Sequence, residues 1–136
     1  MTHAIVALQG ALVAALKADA TLTGLIGNNA IFDAPAKGAS TPYIVVARHD
    51  LVPRDGDAAL GNDHRVLLHL WHPDASRKAV LGIADRVLAV ALSDALAPTG
   101  LLVTNRSHER TDTAIDLDTG AARAALTLRF FTEPSA

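Results

Sequence analysis

The sequence contains no cysteine, few aromatic residues and no excess of positive charge, and each of these features excludes a class of protein. Without cysteine the chain cannot form a disulfide framework, a Cys-containing zinc site or a thiol nucleophile. Twelve Lys and Arg against fourteen Asp and Glu give a formal net charge of −2, which argues against affinity gained by neutralising many DNA phosphates. Aromatic residues make up only 4% of the chain, so a base-stacking surface for single strands also lacks support.

Long hydrophobic runs are also missing. The most apolar stretch lies near the N-terminus and resembles a signal peptide, but it has no initial Lys or Arg, and Ile5, Leu8, Leu12 and Leu16 recur at helical spacing. A membrane span would need about 20 apolar residues. We therefore predict an amphipathic core helix here, no membrane segment, and a single domain over 1–136, since hydrophobic residues make up 50% of the chain.

Two further helices follow from local signals. Asp19 can cap a short second helix that Gly27 ends. After Asp74 or Ser76, either of which can be the N-cap, apolar residues recur with a period of about 3.6 and mark the clearest helix in the chain. Its predicted buried face consists of Val80, Ile83, Ala84, Val87, Leu88 and Ala91.

Extended segments are indicated by β-branched residues and by alternation. They are predicted at Ile31–Phe32, Tyr43–His49, Gly61–Trp71 and Leu101–Arg106, and in a last strand whose buried residues are Ala124, Leu126, Leu128 and Phe130. Two long connections, Asp50–Asn62 and Asn105–Ala122, are left between them. Most hairpin loops have about 2 to 5 residues, so loops of this length are expected to be functional or mobile, and the first is predicted to be a projecting arm.

Three of the six histidines lie in the Gly61–Trp71 region or beside it, and strand geometry decides what they can do. His69 faces away from His64 and His72, because successive side chains point to opposite faces. His64 and His72 lie roughly 26 Å apart on a straight strand, too far to share an ion. The sequence therefore predicts no metal site, with His64 and His72 as polar rim residues at the strand ends and His69 beside Trp71.

Other motifs also fall short of a catalytic or cofactor site. Two Asp-rich turns resemble calcium loops, but Ala59 and Gly120 occupy the fifth position, where an oxygen ligand belongs. A cluster of ionisable residues that could act as acid and base lies in a polar segment, where a solvated charge cluster is the expected state: His108, Glu109, Arg110 and Asp112. The chain has no glycine-rich phosphate loop, His-Glu-x-x-His or Gly-x-Ser-x-Gly motif, so no catalytic centre is visible and we predict no cofactor.

The order of these segments resembles the family of small phage tail-completion or tail-terminator proteins, which also occurs in prophages and gene transfer agents. The resemblance runs from about Ala4 to about Pro134 through "ALQGALVAALKADATLTGLIG", "IFDAPAKGASTPYIVV", "GNDHRVLLHLW" and "RKAVLGIADRVLAVAL". It implies an α+β fold, with an N-terminal and a central helix packed on one face of a mainly antiparallel, four- to five-stranded sheet, and it implies no enzymatic activity. It also implies a ring of six subunits at the head-tail junction of the particle, assembled in the bacterial cytoplasm. That ring caps the tail tube, joins it to the head-side connector and lets DNA pass through its lumen.

A ring requires heterologous contacts between subunits, and the two long connections are the predicted suppliers. The apolar residues of the first would be wasteful on an isolated monomer. The predicted contacts to a neighbouring subunit or to the tube are made by Leu51, Val52, Arg54, Leu60, Arg106 and Arg110. Three alternatives stay open at this point: another head-tail joining protein, a small metal-dependent or acid-base enzyme using His64, His69 or His108, and a monomeric ligand-binding module.

Overall fold

The computed structural model describes residues 2–35, 38, 40–55 and 60–135. Its helices are α1 (Ala4–Ala18), α2 (Ala20–Ile26) and α3 (Arg77–Ala91). Its strands are β1 (Ile31–Phe32), β2 (Tyr43–Asp55), β3 (Leu60–His72), β4 (Leu101–Ile115) and β5 (Ala122–Pro134). The predicted α+β fold is confirmed.

The strands form one five-stranded sheet in the order β1-β2-β3-β5-β4. All neighbouring strands are antiparallel except β1 and β2, which pair in parallel over two residues, so the sheet is mixed but mainly antiparallel as predicted. The chain passes through α3 between β3 and β4, and β5 then returns between those two strands.

The core lies between the helices and one face of this sheet. On α1 the buried residues Leu8, Leu12 and Leu16 follow the helical period, and the predicted stripe on α3 is buried at all its positions except the half-buried Leu88. The sheet contributes alternate residues, as a sheet with one buried face should. These are Val66, Leu68 and Leu70 of β3 and Ala124, Leu126, Leu128 and Phe130 of β5.

Side-chain hydrogen bonds cap α2 and α3 as predicted. Asp19 accepts a bond from the Leu22 amide at 2.9 Å and caps α2, which ends at Gly27 with a φ of 89°. Ser76 accepts from the Ala79 amide at 3.1 Å and caps α3. Within the described residues no single helix is long and apolar enough to cross a membrane; α1 and α2 together reach that length but are bent by 79°.

The predictions for the two long connections were wrong. Most of Asp50–Asn62 forms the ends of β2 and β3, which pair through Leu51↔His64, Val52↔Asp63 and Arg54↔Gly61, while residues 56–59, including Ala59, lie outside the described part of the chain. Likewise β4 continues to Ile115, which leaves only a short turn before β5. Few side chains in these strand ends are fully buried, so apolar and polar residues do not alternate regularly and the period of a strand is not visible in the sequence.

Candidate subunit and tube interface

The arm consists of Asp50–Asp55 of β2 and Leu60–Asn62 of β3, and its last two pairs, Arg54↔Gly61 and Asp55↔Leu60, lie beyond the final pair of β3 with β5, Asn62↔Thr132. Val52 and Leu60 are among the exposed large apolar side chains, at 55% and 64%. By strand alternation Val52 and Arg54 share one face of the arm, while Leu51 and Leu60 share the other. The arm therefore presents apolar side chains on both of its faces.

Arg54 is held against the sheet by an aromatic ring. Its guanidinium lies 5.1 Å from the centre of the Phe131 ring, and the guanidinium of Arg129 lies 4.8 Å from the same ring. Both distances are within the range of a cation–π contact. Phe131 thus connects the outer face of the arm to β5.

A chain of polar side chains crosses the base of the arm. His49 Nε2 and His64 Nδ1 are 2.9 Å apart, His64 Nε2 and Thr132 Oγ1 are 2.9 Å apart, and His49 Nδ1 lies 3.2 Å from Gln9 Oε1. Gln9 in turn donates to the carbonyl oxygen of Asp33 at 3.0 Å. The chain of bonds therefore joins α1, β2, β3 and β5 at one place.

The hydrogen-bond directions assign the tautomers of this chain. Because Gln9 Oε1 can only accept, His49 donates from Nδ1 and accepts at Nε2 from Nδ1–H of His64; Thr132 then donates to Nε2 of His64. Both rings are neutral in this arrangement. Burial is the main cause that lowers the pKa of each imidazole to about 4, and for His49 the neighbouring His64 lowers it further.

The prediction that His64 is a rim residue was wrong, because His64 is fully buried. β3 begins at Leu60, close to the predicted start, but His64 has a strand on either side, since it pairs with Leu51 of β2 and with Phe130 of β5. The signal was present in the sequence: His64 shares its face with Val66, Leu68 and Leu70, which form the core. His49, on β2, gave no comparable signal.

The sheet face away from the helices is covered by paired charges. Arg129 donates two bonds to the Asp63 carboxylate, at 3.0 and 2.7 Å, and this contact is the main cause of the lowered pKa of Asp63 and the raised pKa of Arg129. Arg65 donates to Glu109 at 2.9 Å. Such pairing leaves these guanidinium groups less available to phosphates.

The other two predicted arginines lie in different settings. Arg106 is half-buried, and its guanidinium donates to the carbonyl oxygen of Ser93, just after α3. Arg110 is 73% exposed and forms a 3.5 Å ion pair with Asp112 on the same strand. Arg110 is thus open to a partner, whereas Arg106 also has a structural role within the subunit.

The opposite end of the sheet carries the turn between β4 and β5. Its Asp116 carboxylate accepts from the amides of Asp118 and Thr119, as expected of the predicted polar turn, and Leu117 is 96% exposed. Beside it a groove of about 600 Å³ is lined in part by Tyr43 and Trp71. The strand pairing separates this turn from the arm by nearly the whole length of the sheet.

The histidines do not assemble a metal centre in the part of the chain that the structure describes. No group of three His, Asp or Glu side chains there could hold a metal ion. His69 is half-buried on the outer face of β3, and the exposed His108 lies 2.6 Å from the Thr111 hydroxyl on β4. These two histidines and His64 are therefore dispersed over the sheet.

Comparisons with known proteins define the class. The family model described as "Tail completion protein gp17" matches residues 10–133. The chain therefore belongs to the tail-completion family: it is a structural component of a phage-type virion and not an enzyme. No curated protein matches the chain significantly.

A solved structure supports the same fold. One chain of a structure described as the virion of a native gene transfer agent particle superposes with a TM-score of 0.83 at 22% sequence identity. The match covers 97% of the present chain and 99% of that chain. The two chains therefore share one fold over nearly their whole lengths.

Proposed function

We propose that this chain is the tail terminator of a phage-type particle, such as a gene transfer agent. In this role a ring of copies, six by the family resemblance, caps the finished tail tube and docks on the head-side connector, while DNA passes through the ring. The mechanism is steric, because a covered tube end cannot accept another ring of tube protein. Family membership over residues 10–133 is the observation that carries the proposal.

The two ends of the sheet supply two separate docking surfaces for this role. The arm offers Leu51, Val52 and Leu60, and the turn before β5 offers Leu117. Large apolar side chains exposed at opposite ends suit a subunit that contacts one body below and another above. A ring also needs two different patches on each subunit, as a heterologous contact requires.

The charge balance supports passage of DNA without retention. The formal net charge is −2, and arginines of the open sheet face are paired with carboxylates. A lumen lined by unpaired arginines would hold DNA through many phosphate contacts, and each contact would slow its passage.

The direct test is to shorten the arm of the chain in a bacterial host that produces the particles. Residues 53–62 are replaced by Asn-Gly, which joins the paired residues Val52 and Asp63 through a two-residue turn. We expect a folded chain that no longer supports infectious or DNA-transferring particles, with tails of uncontrolled length under the electron microscope. Point variants refine the result: Leu60→Ser should reduce particle yield, whereas Val6→Ser, at a similarly exposed position on α1, should not.

The possible outcomes separate the candidate roles. Overlong tails support termination. Tails of normal length that fail to join heads would instead indicate a joining protein of the same neck region. If the shortened chain supports normal particles, the arm has no part in the mechanism.

A further inference from the structure

The sheet has two open edges, and both are long. In the described chain β1 covers only Ile44 and Val45 of β2, so the rest of β2 has no strand partner on its outer side. The other edge is β4, from Leu101 to Ile115. Unpaired edges are templates for strand addition, and most proteins cover or interrupt them.

The strand directions make the two edges compatible. Each neighbouring pair from β2 through β3 and β5 to β4 is antiparallel, so β2 and β4 run in opposite directions. If a second copy continues the sheet, its β4 lies antiparallel to the β2 of the first. This contact joins two different edges and can therefore repeat from copy to copy around a ring.

The same charge motif occurs on both edges. On β2, Arg48 pairs with Asp50 at 2.8 Å, with side chains 72% and 52% exposed. On β4, Arg110 pairs with Asp112 at 3.5 Å, with side chains 73% and 42% exposed, and Asp112 also accepts from Arg123 of β5 at 3.3 Å. Exposed ion pairs contribute little to the stability of a monomer, so these charges can exchange partners.

Antiparallel pairing matches the two motifs when Arg48 lies opposite Asp112 and Asp50 lies opposite Arg110. All four side chains occupy the sheet face away from the helices, as their registers with Leu67, Arg65, Thr127 and Ala125 show. The intervening His49 and Thr111 then both face the helix side. Opposite charges placed directly across an antiparallel pair are stabilising.

The register of the sheet requires a stagger between copies. Within one copy Arg48, Leu67, Thr127 and Arg110 form a single row across the sheet. If the rows of two copies were aligned without a shift, Arg110 of one copy would lie opposite Arg48 of the next. A shift of two residues along the strand puts each Arg opposite an Asp. A sheet that closes on itself needs such a stagger.

Local features limit the length of the pairing. β1 covers the edge up to Val45, and Pro53 has no N–H to donate, so the usable edge runs over residues 46–52. The strand pairing is irregular between Val46 and Arg48 and between His108 and Arg110. Regular pairing between copies is therefore limited to residues 48–50 of β2 and 110–112 of β4. The edge contact between copies is thus short, and it sets their register and direction.

We infer that Arg48–Asp50 on β2 pairs with Arg110–Asp112 on β4 of a second copy of this chain, so that one sheet continues from subunit to subunit. The inference rests on the proposed ring but specifies which edges form it. It assigns Arg110 to the contact between copies and leaves Val52, Leu60 and Leu117 free for the tube and the connector.

Charge reversal tests the pairing. We expect Arg48→Asp with Asp50→Arg to place like charges opposite each other and to lower the association constant of the oligomer about tenfold or more, measured by sedimentation. Adding Arg110→Asp with Asp112→Arg reverses both edges and should restore association. Thermal unfolding of each variant separates loss of pairing from loss of folding. Rescue that fails in a folded quadruple variant, or a reversed β2 edge that associates normally, overturns the inference.

The absence of natural cysteine allows a second, independent test. Oxidation of the Arg48→Cys/Asp112→Cys double variant should give a ladder of disulfide-linked oligomers on a non-reducing gel. Either single variant, and the misregistered pair Arg48→Cys/Arg110→Cys, should give far less product. The oxidation is performed on purified protein and on assembled particles.

The results distinguish failure of the inference from failure of the proposed function. Particles that contain the double variant, need it for tail completion and yet show no cross-link would overturn the edge pairing but leave the tail-terminator role intact. Normal particles formed without the chain would contradict the tail-terminator role. A cross-linked ladder of the purified protein would even then support the pairing of the edges.

Discussion

At the scale of single residues, His64 shows how a titratable side chain is accommodated in this core. Its ring is fully buried, and both nitrogens have partners within 2.9 Å. A buried polar group that is satisfied costs little, but removing one partner leaves the others without a hydrogen bond. The bonds from Gln9 to Thr132 are therefore expected to stabilise the fold as a unit.

The variant His64→Leu tests this coupling. It removes two hydrogen bonds and leaves the Thr132 hydroxyl without its partner, so we expect the free energy of unfolding to fall by about 1–3 kcal/mol. Urea unfolding followed by circular dichroism measures the change. His108→Leu, at an exposed position of β4, is the control and should change stability by less than about 0.5 kcal/mol. Equal effects of the two substitutions would contradict a structural role for the chain of bonds.

The same histidines predict how stability depends on pH. The pKa of His49 and of His64 is about 4 in the folded chain, below the ordinary value of about 6.5, so the unfolded chain binds more protons between these values. The contribution of these two histidines to the free energy of unfolding should therefore reach its full value above about pH 6.5 and decline as the pH falls towards about 4.

Urea unfolding at several pH values between about 7.5 and 4.5 measures this decline. The His49→Gln/His64→Gln variant should lose most of this dependence of stability on pH. The part that remains comes from His69, whose pKa is also lowered by burial. The pKa of Asp19 is about 2, so its contribution is lost only at lower pH and does not enter this window. A wild-type profile that is flat over this range would contradict the neutral assignment of the buried pair.

At the scale of elements, α1 should owe its position to the buried stripe on its sheet side. Leu12 is fully buried there, and Leu12→Ala should lower the free energy of unfolding by about 2–5 kcal/mol, the usual cost of a cavity of this kind. The matched control on the same helix is Val6→Ala, which is 62% exposed and should cost less than about 0.5 kcal/mol. Chemical denaturation compares the two, and similar losses would show that α1 does not dock through this stripe.

The sequence predicts elements wherever one face is buried and fails where neither face is. The α3 stripe and the alternation of Ala124 to Phe130 were predicted because burial imposes a period on the residue types. Few side chains at the ends of β2, β3 and β4 are fully buried, so the residue types there do not alternate regularly and resembled loops. In the candidate interface, the sequence identified Leu51, Val52 and Leu60 because they are apolar residues in a polar segment. It did not predict the contact between His49 and His64, because that contact depends on the register between β2 and β3, which local patterns do not contain.

At the scale of the whole molecule, charge distribution matters more than the net charge of −2. Asp63 of β3 binds Arg129 of β5, and Glu109 of β4 binds Arg65 of β3, so both carboxylates are satisfied in a monomer. The exposed charges Arg48 and Asp50 pair within β2, and Arg110 pairs with Asp112 within β4, where Asp112 also binds Arg123 of β5. An assembling partner can therefore recruit Arg48, Asp50 and Arg110 while these ion pairs between strands stay intact.

The assembly should therefore weaken as salt rises. The proposed contact between copies places two Arg–Asp pairs at exposed edges, and the screening length falls from about 10 Å at 0.1 M salt to about 3 Å at 1 M. We expect the association constant measured by sedimentation to decline over this range. Leu60→Ser should leave this association constant unchanged at every salt concentration, because Leu60 is assigned to the tube and the connector. The quadruple charge-reversed variant should keep the wild-type dependence on salt. Association that strengthens with salt would show that apolar contacts dominate between copies and that the charged edges do not set the assembly.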